Sequence, residues 1–161
     1  MASIDEIRLN FIDRRKTRFA DLWQTQEMST VGAIALSGLN AATLRLEAAA
    51  SNIANARSSG PLPDAPNAAG RPPVYTPLEV NQTPNANGGV SASIAPATRS
   101  AVTAYDPEAA YADANGLVAA PDVDIADELI QLITSRYAFA ASLQTAKADA
   151  EMLAAALAMT A

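Results

Sequence analysis

The densest chemistry in this chain is the acidic run Asp122-Val123-Asp124-Ile125-Ala126-Asp127-Glu128. Carboxylates this close could hold a hard cation, but a calcium loop needs acids at alternate positions, a central Gly and a closing Glu. That pattern is missing, and the Ile/Leu spacing that follows marks a helix start, where negative charge complements the helix dipole. Gly88-Gly89 lacks the Lys and Ser/Thr of a phosphate loop. Tyr105, Tyr111 and Tyr137 have no evident base partner. With no His and no Cys, the chain has no zinc finger, His-based triad, haem ligand or disulfide. The residues therefore predict a non-enzyme without metal or cofactor. An enzymatic reading would need an activity that depends on a carboxylate between Asp122 and Glu128.

The elements that carry these residues follow from composition. Of 161 residues, 38 are Ala and only eight are aromatic, so a dense aromatic core is excluded. Ala favours helices and lets them approach closely. The net charge of −6 argues against a nucleic-acid partner, which would require a basic patch. No run of apolar residues is long enough for a transmembrane segment.

All ten Pro lie between Pro61 and Pro121, so the chain reads as helix, non-helical middle, helix. In the first flank Ala35, Leu39, Ala42, Leu46, Ala49 and Ile53 alternate steps of 4 and 3, which predicts a helix over about 30–55. In the second, Leu129, Leu132, Arg136, Phe139, Leu143, Ala146, Ala150, Leu153 and Leu157 repeat the pattern. Neither helix has the charged surface of a free-standing coil, and extra Ala residues widen the apolar face, which points to an assembly. The middle predicts strands at Val74–Val80, Val90–Ile94 and Ala101–Tyr105, with a turn at Asn87-Gly88-Gly89.

Specific words then outweigh periodicity. Leu39 to Ala56, with Ser51-Asn52-Ile53-Ala54-Asn55 near its end, resembles the N-terminal signature of bacterial flagellar rod and hook axial proteins. Tyr105-Asp106-Pro107, Ala112 to Val118, Pro121-Asp122-Val123-Asp124, Glu128-Leu129-Ile130, Ser135-Arg136 and Thr145-Ala146-Lys147 continue the likeness in order, over about 28–159. The loop after Asn55 lacks the Thr-Gly-Tyr of distal rod and hook relatives, so the resemblance is to the short proximal-rod type. Ala109-Ala110 replaces the family's His-Pro.

The resemblance implies a mainly α fold, with long N- and C-terminal helices forming an antiparallel coiled coil around a small Pro/Gly-rich β-hairpin or sheet insertion. Four segments follow: a 1–27 extension, a 28–56 axial helix, a 57–121 insertion and a 122–161 axial helix. It implies a structural subunit of the basal-body rod that polymerises through its terminal helices and transmits motor torque across the periplasm. Partners would be other rod proteins, further copies of the chain and the flagellar type III export apparatus, reached without a cleaved signal peptide. Matching positions put helix packing and subunit contacts on Leu39, Leu46, Asn52, Ile53, Asn55, Leu129, Leu132, Arg136, Phe139, Leu143 and Leu153. Arg136, on the seam, should find a carboxylate or carbonyl. The alternative is a soluble coiled-coil adaptor or secretion-associated binding module with one partner.

Residues 1–27 hold five basic and five acidic residues with Ile4, Ile7, Phe11, Ile12, Phe19, Leu22 and Trp23. Two readings stand: an amphipathic docking helix, or an upstream extension with translation starting at Met28. Arg14-Arg15 matches a twin-arginine pair, but no adequate apolar stretch follows it.

Overall fold

The computed structural model describes residues 4–65, 68 and 70–159, with side chains described from Thr30 onward. Everything expected of the side chains of residues 1–27 lies outside the described residues.

With no Pro before residue 61, the first helix has nothing to break it, and α1 runs Ile4–Asn55 without interruption, about 78 Å long. It stops in a local cluster of bonds: Ser58 N–H donates to Asn55 O at 2.9 Å, and the Ser58 hydroxyl donates to the same oxygen at 2.8 Å. The helix α2 spans Ile125–Ala158. Asp124 caps it, its carboxylate accepting from Ala126 N at 2.8 Å, with Asp127 and Glu128 in the first turn.

Between the helices lie two antiparallel hairpins. β1 (Leu78–Pro84) pairs with β2 (Val90–Pro96), from Leu78 opposite Pro96 to Pro84 opposite Val90. The connecting turn needs Gly88 and Gly89, whose φ values of +86° and +77° are strained for other residues. β3 (Ala101–Tyr105) pairs with β4 (Leu117–Pro121). The β1 strand begins after Pro77, not at Val74 as the sequence pattern suggested; Pro77 has no N–H for a ladder, and its carbonyl accepts from Ala97 N at 2.8 Å. β4 was not foreseen. Its Leu-Val-Ala-Ala-Pro run has no alternation, because Val118 and Ala119 are both buried.

The helices lie antiparallel. A Cβ on Gly32 would stand 2.5 Å from Asp149 Oδ2, and one on Gly38 would stand 2.7 Å from Ser142 Oγ. Buried Ala35, Ala42 and Ala49 fall on the same face of α1. The β1–β2 hairpin covers a second face of α1: Ser37 Oγ accepts from Val90 N at 3.1 Å, and Ala41 and Ala48 are buried.

These facts correct the expected fold class. The chain is two helices flanking a four-strand antiparallel β region in two sheets, not a mainly α coiled coil. The reason is side-chain size. The helices meet through Gly, Ala and Ser, with Ser135 and Asp149 buried on α2, while the large residues of the heptad stand to the side or outside. No helix among the described residues is long and apolar enough to cross a membrane.

The β3–β4 sheet is tied to the segment just after α1 through Gly60, which exchanges two 2.9 Å backbone bonds with Ala119. A Cβ there would lie 2.9 Å from Val74 N and 3.1 Å from Val74 Cα, and backbone cannot step aside as a flexible side chain can. Gly60→Ala is expected to cost about 1–3 kcal/mol, read as a lower thermal midpoint.

Asp113 organises the turn into β4: its Oδ1 accepts from Leu117 N and Asn115 N, each at 2.8 Å. The Leu117 bond, most of all, holds this carboxyl below the ordinary aspartate range. A lowered folded value means that the turn is supported above the ordinary aspartate pKa and released as pH falls through the folded one. The protection of the Leu117 amide, the slowing of its exchange relative to that of an unstructured amide at the same pH, should therefore fall as pH drops below about 4, and Asp113→Asn should flatten that dependence.

Candidate functional site

The point at which α1, β1 and α2 meet is Asn52, 2% exposed on the last turns of α1. Its Nδ2 donates to Leu78 O at 2.8 Å and to Glu128 Oε1 at 2.7 Å. Its Oδ1 accepts from Leu78 N at 2.8 Å and from the Tyr75 hydroxyl at 2.9 Å. A primary amide has two N–H donors and two acceptor lone pairs, so every capacity of Asn52 is used. Tyr75, having given its proton to Asn52, accepts from Ser51 Oγ at 2.9 Å.

Each partner is where local chemistry puts it. Leu78 is the first residue of β1, and both its backbone groups turn to Asn52. Glu128 sits in the first turn of α2, one turn beyond the Asp124 cap. One side chain thus pins the end of one helix, the head of the other and the start of the first sheet. The acidic run is divided among structural tasks: Asp124 caps, Glu128 binds Asn52, and Asp122 lies 3.7 Å from Arg99 in an exposed ion pair.

The structure brings few of the expected site residues to this junction. Asn52 is its centre. Asn55 serves its own helix, donating to Ser51 O at 2.9 Å. Leu39, Leu46 and Ile53 are half-buried along α1, and Leu132 and Phe139 along α2. Leu129 is 48% exposed, and Leu143 and Leu153 are exposed as well. Arg136 is exposed and makes no ion pair among the described residues. The inward stripe of α2 is Glu128, Leu132, Ser135, Phe139, Ser142, Ala146 and Asp149, so alternate positions sit one residue before the expected ones.

Sequence reading missed Tyr75, Leu78 and Glu128 as Asn52's partners, and Ser51 as Tyr75's. Tyr75 carried the available signal, as the one aromatic in the Pro-rich stretch between Gly60 and Val80. It also missed Arg45 Nε, Ser135 Oγ and Asp149 Oδ1, buried atoms with no hydrogen-bond partner among the described residues.

Asn52→Ala would strand both backbone groups of Leu78 and a carboxylate; unmade buried bonds of this kind cost about 1–3 kcal/mol each, and more beside a charge. Asn52→Asp keeps the shape but replaces two donors with acceptors facing Leu78 O and Glu128. Both variants should unfold at clearly lower denaturant concentration, whereas Asn55→Ala, which loses one local bond, should cost about 1 kcal/mol.

Comparison with known proteins agrees with the geometry. The family described as "Flagella basal body rod protein" matches residues 33–61, the stretch that holds Asn52 and Gly60. The flagellar basal-body rod protein FlgC of Salmonella typhimurium is 35% identical over 114 residues, covering 69% of this chain and 81% of that protein. FlgC of Salmonella typhi is similar to the same extent. With a helix end locked by its Asn, a hairpin region and a long C-terminal helix in that order, the chain belongs to the flagellar basal-body rod protein family.

Proposed function

We propose that the chain is a structural, non-enzymatic subunit of the proximal part of the flagellar basal-body rod. It polymerises through its terminal helices with copies of itself and with other rod proteins, and carries motor torque across the periplasm. It reaches that place through the flagellar export apparatus, without a cleaved signal peptide. Leu39, Leu46, Ile53, Leu129, Leu132, Phe139, Leu143 and Leu153 pack the seams within and between subunits, and Arg136 finds its counter-charge on a neighbour.

The carrying observation is the outward face of α2. Ile130 is 59% exposed, Ile133 56% and Tyr137 73%, Leu129 is exposed beside them, and Met152 and Leu157 are exposed further along the helix. A patch of large exposed apolar groups on one helix face marks an interaction surface. Burying one such side chain is worth about 1.5–3 kcal/mol, so a neighbour covering several would stabilise the assembly strongly. The small-residue contact between the helices, with its unpartnered Ser135 and Asp149 atoms, supplies much less inside one subunit.

The test is immunoblotting of purified hook–basal bodies from the native flagellated host carrying a tagged chain. The protein should co-purify, its export should need the flagellar apparatus, and its deletion should abolish swimming. A soluble chain absent from intact basal bodies would refute the proposal.

A further inference from the structure

Each helix leaves one stripe of its surface uncovered, and the two stripes match. On α1, Leu36, Asn40, Thr43, Glu47, Ala50 and Ala54 follow one another at steps of 4, 3, 4, 3 and 4. At 3.6 residues per turn they share about 80° of arc, and all six are exposed. The residues of α1 buried against α2, Ala35, Ala42 and Ala49, lie on another side, as do Ala41 and Ala48 beneath the hairpin. On α2, Leu129, Ile133, Arg136, Ala140, Leu143 and Lys147 repeat the same steps, and these six are exposed as well. They stand about a third of a turn from the inward stripe that holds Glu128, Ser135 and Asp149.

Laid antiparallel, the stripes complement each other in size and in charge. Leu129 and Ile133 come opposite Ala54 and Ala50, so bulky side chains meet small ones. Ala140 comes opposite Thr43, whose hydroxyl is already spent on Leu39 O at 2.9 Å and brings no unmet donor. Leu143 meets Asn40, and the aliphatic stem of Lys147 covers Leu36 while its amine stays in water. Glu47, the one carboxylate of the α1 stripe, falls opposite Arg136, which has no ion pair among the described residues. A slip of one heptad in either direction sets Glu47 against Leu129 or Leu143 and strands Arg136, so the charge pair selects the register.

We propose that the α2 stripe of one copy packs antiparallel on the α1 stripe of a second copy, with Arg136 paired to the second copy's Glu47. The α1 stripe is turned away from its own α2, so one chain cannot close this contact on itself. The two surfaces differ, which makes the contact head-to-tail: each copy still has a free stripe, and further copies add in the same way. The inference rests on the self-assembly reading above and gives Arg136 its counter-charge by residue.

Because the chain has no Cys, single substitutions at exposed positions give clean cross-linking. Full-length Ala50→Cys is mixed with full-length Ile133→Cys and oxidised. Thr134→Cys is the control partner, exposed at the same level but turned about 100° round α2. The expected result is a 50–133 disulfide, identified by mass spectrometry of the digested product, formed several-fold faster than 50–134. Adding Glu47→Lys to the first chain should slow it about fivefold, and Arg136→Glu on the second should restore it. Equal rates with Ile133→Cys and Thr134→Cys, or indifference to Glu47→Lys, would overturn the inference. The Ala50→Cys and Ile133→Cys chains are also expressed together in the flagellated host and oxidised in purified basal bodies. A chain that forms the link but is absent from basal bodies refutes only the rod reading. One present in basal bodies that never forms the link refutes only this inference, and a different rod protein then covers the α1 stripe.

Discussion

A single amide decides how this chain is put together. Asn52, on α1, bonds α2 and β1 at once, and it does so with all four of its hydrogen-bonding positions filled. The strand begins where its first residue can give both backbone groups to Asn52. The head of α2 is held because Glu128 reaches the same side chain. Hydrophobic contact could not fix this junction so narrowly, since Ala against Ala has no preferred register along a helix. A buried polar group fully satisfied in one arrangement, and costly in every other, supplies the register.

Once the junction is fixed, small residues let the helices close on each other. Gly32 and Gly38 admit Asp149 and Ser142, and Ala35, Ala42 and Ala49 complete the face. Close approach gives many weak dispersion contacts but removes little apolar area from water. Leu132 and Phe139 stay on the inward stripe of α2, but many of the other large side chains are kept out of the intrachain contact. On α2 the residues that would make the strongest core, Ile130, Ile133, Leu129 and Leu157, are on the outside. The division is systematic: polar bonds and small residues define the subunit, and large apolar residues are left for what lies beyond it.

That division explains what could be read from the sequence. The absence of Pro from both flanks marked the helices, Asn87-Gly88-Gly89 marked the hairpin turn, and Ser51-Asn52-Ile53-Ala54-Asn55 marked the family. Periodicity found the heptad repeat on α2 but put its inward face one residue off at alternate positions. Pattern reading assumes that the largest residues face inward, and here Ser135, Ser142 and Asp149 take those positions instead. The coiled-coil expectation failed on the same assumption. β4 was hidden because Val118 and Ala119 are buried on both faces and show no alternation. The Asn52 partners come from segments 23 to 76 residues away, a distance over which spacing carries no information.

The balance of energies also bears on when this fold matters. Among the described residues, three buried polar atoms without partners, each at about 1–3 kcal/mol, offset much of what the helix pair gains from its Ala contacts. The Asn52 junction and the Gly60–Ala119 bridge still define one arrangement, so the chain is specified without being deeply stabilised. Covering the outer face of α2 adds apolar burial that the isolated chain lacks, at about 25 cal/mol per Å². On the proposed reading, a subunit built this way would open easily while alone and with much more difficulty once neighbours cover that face. For a family whose members sit in a rod, that is the order of stabilities that lets a weakly held chain become part of a rigid object.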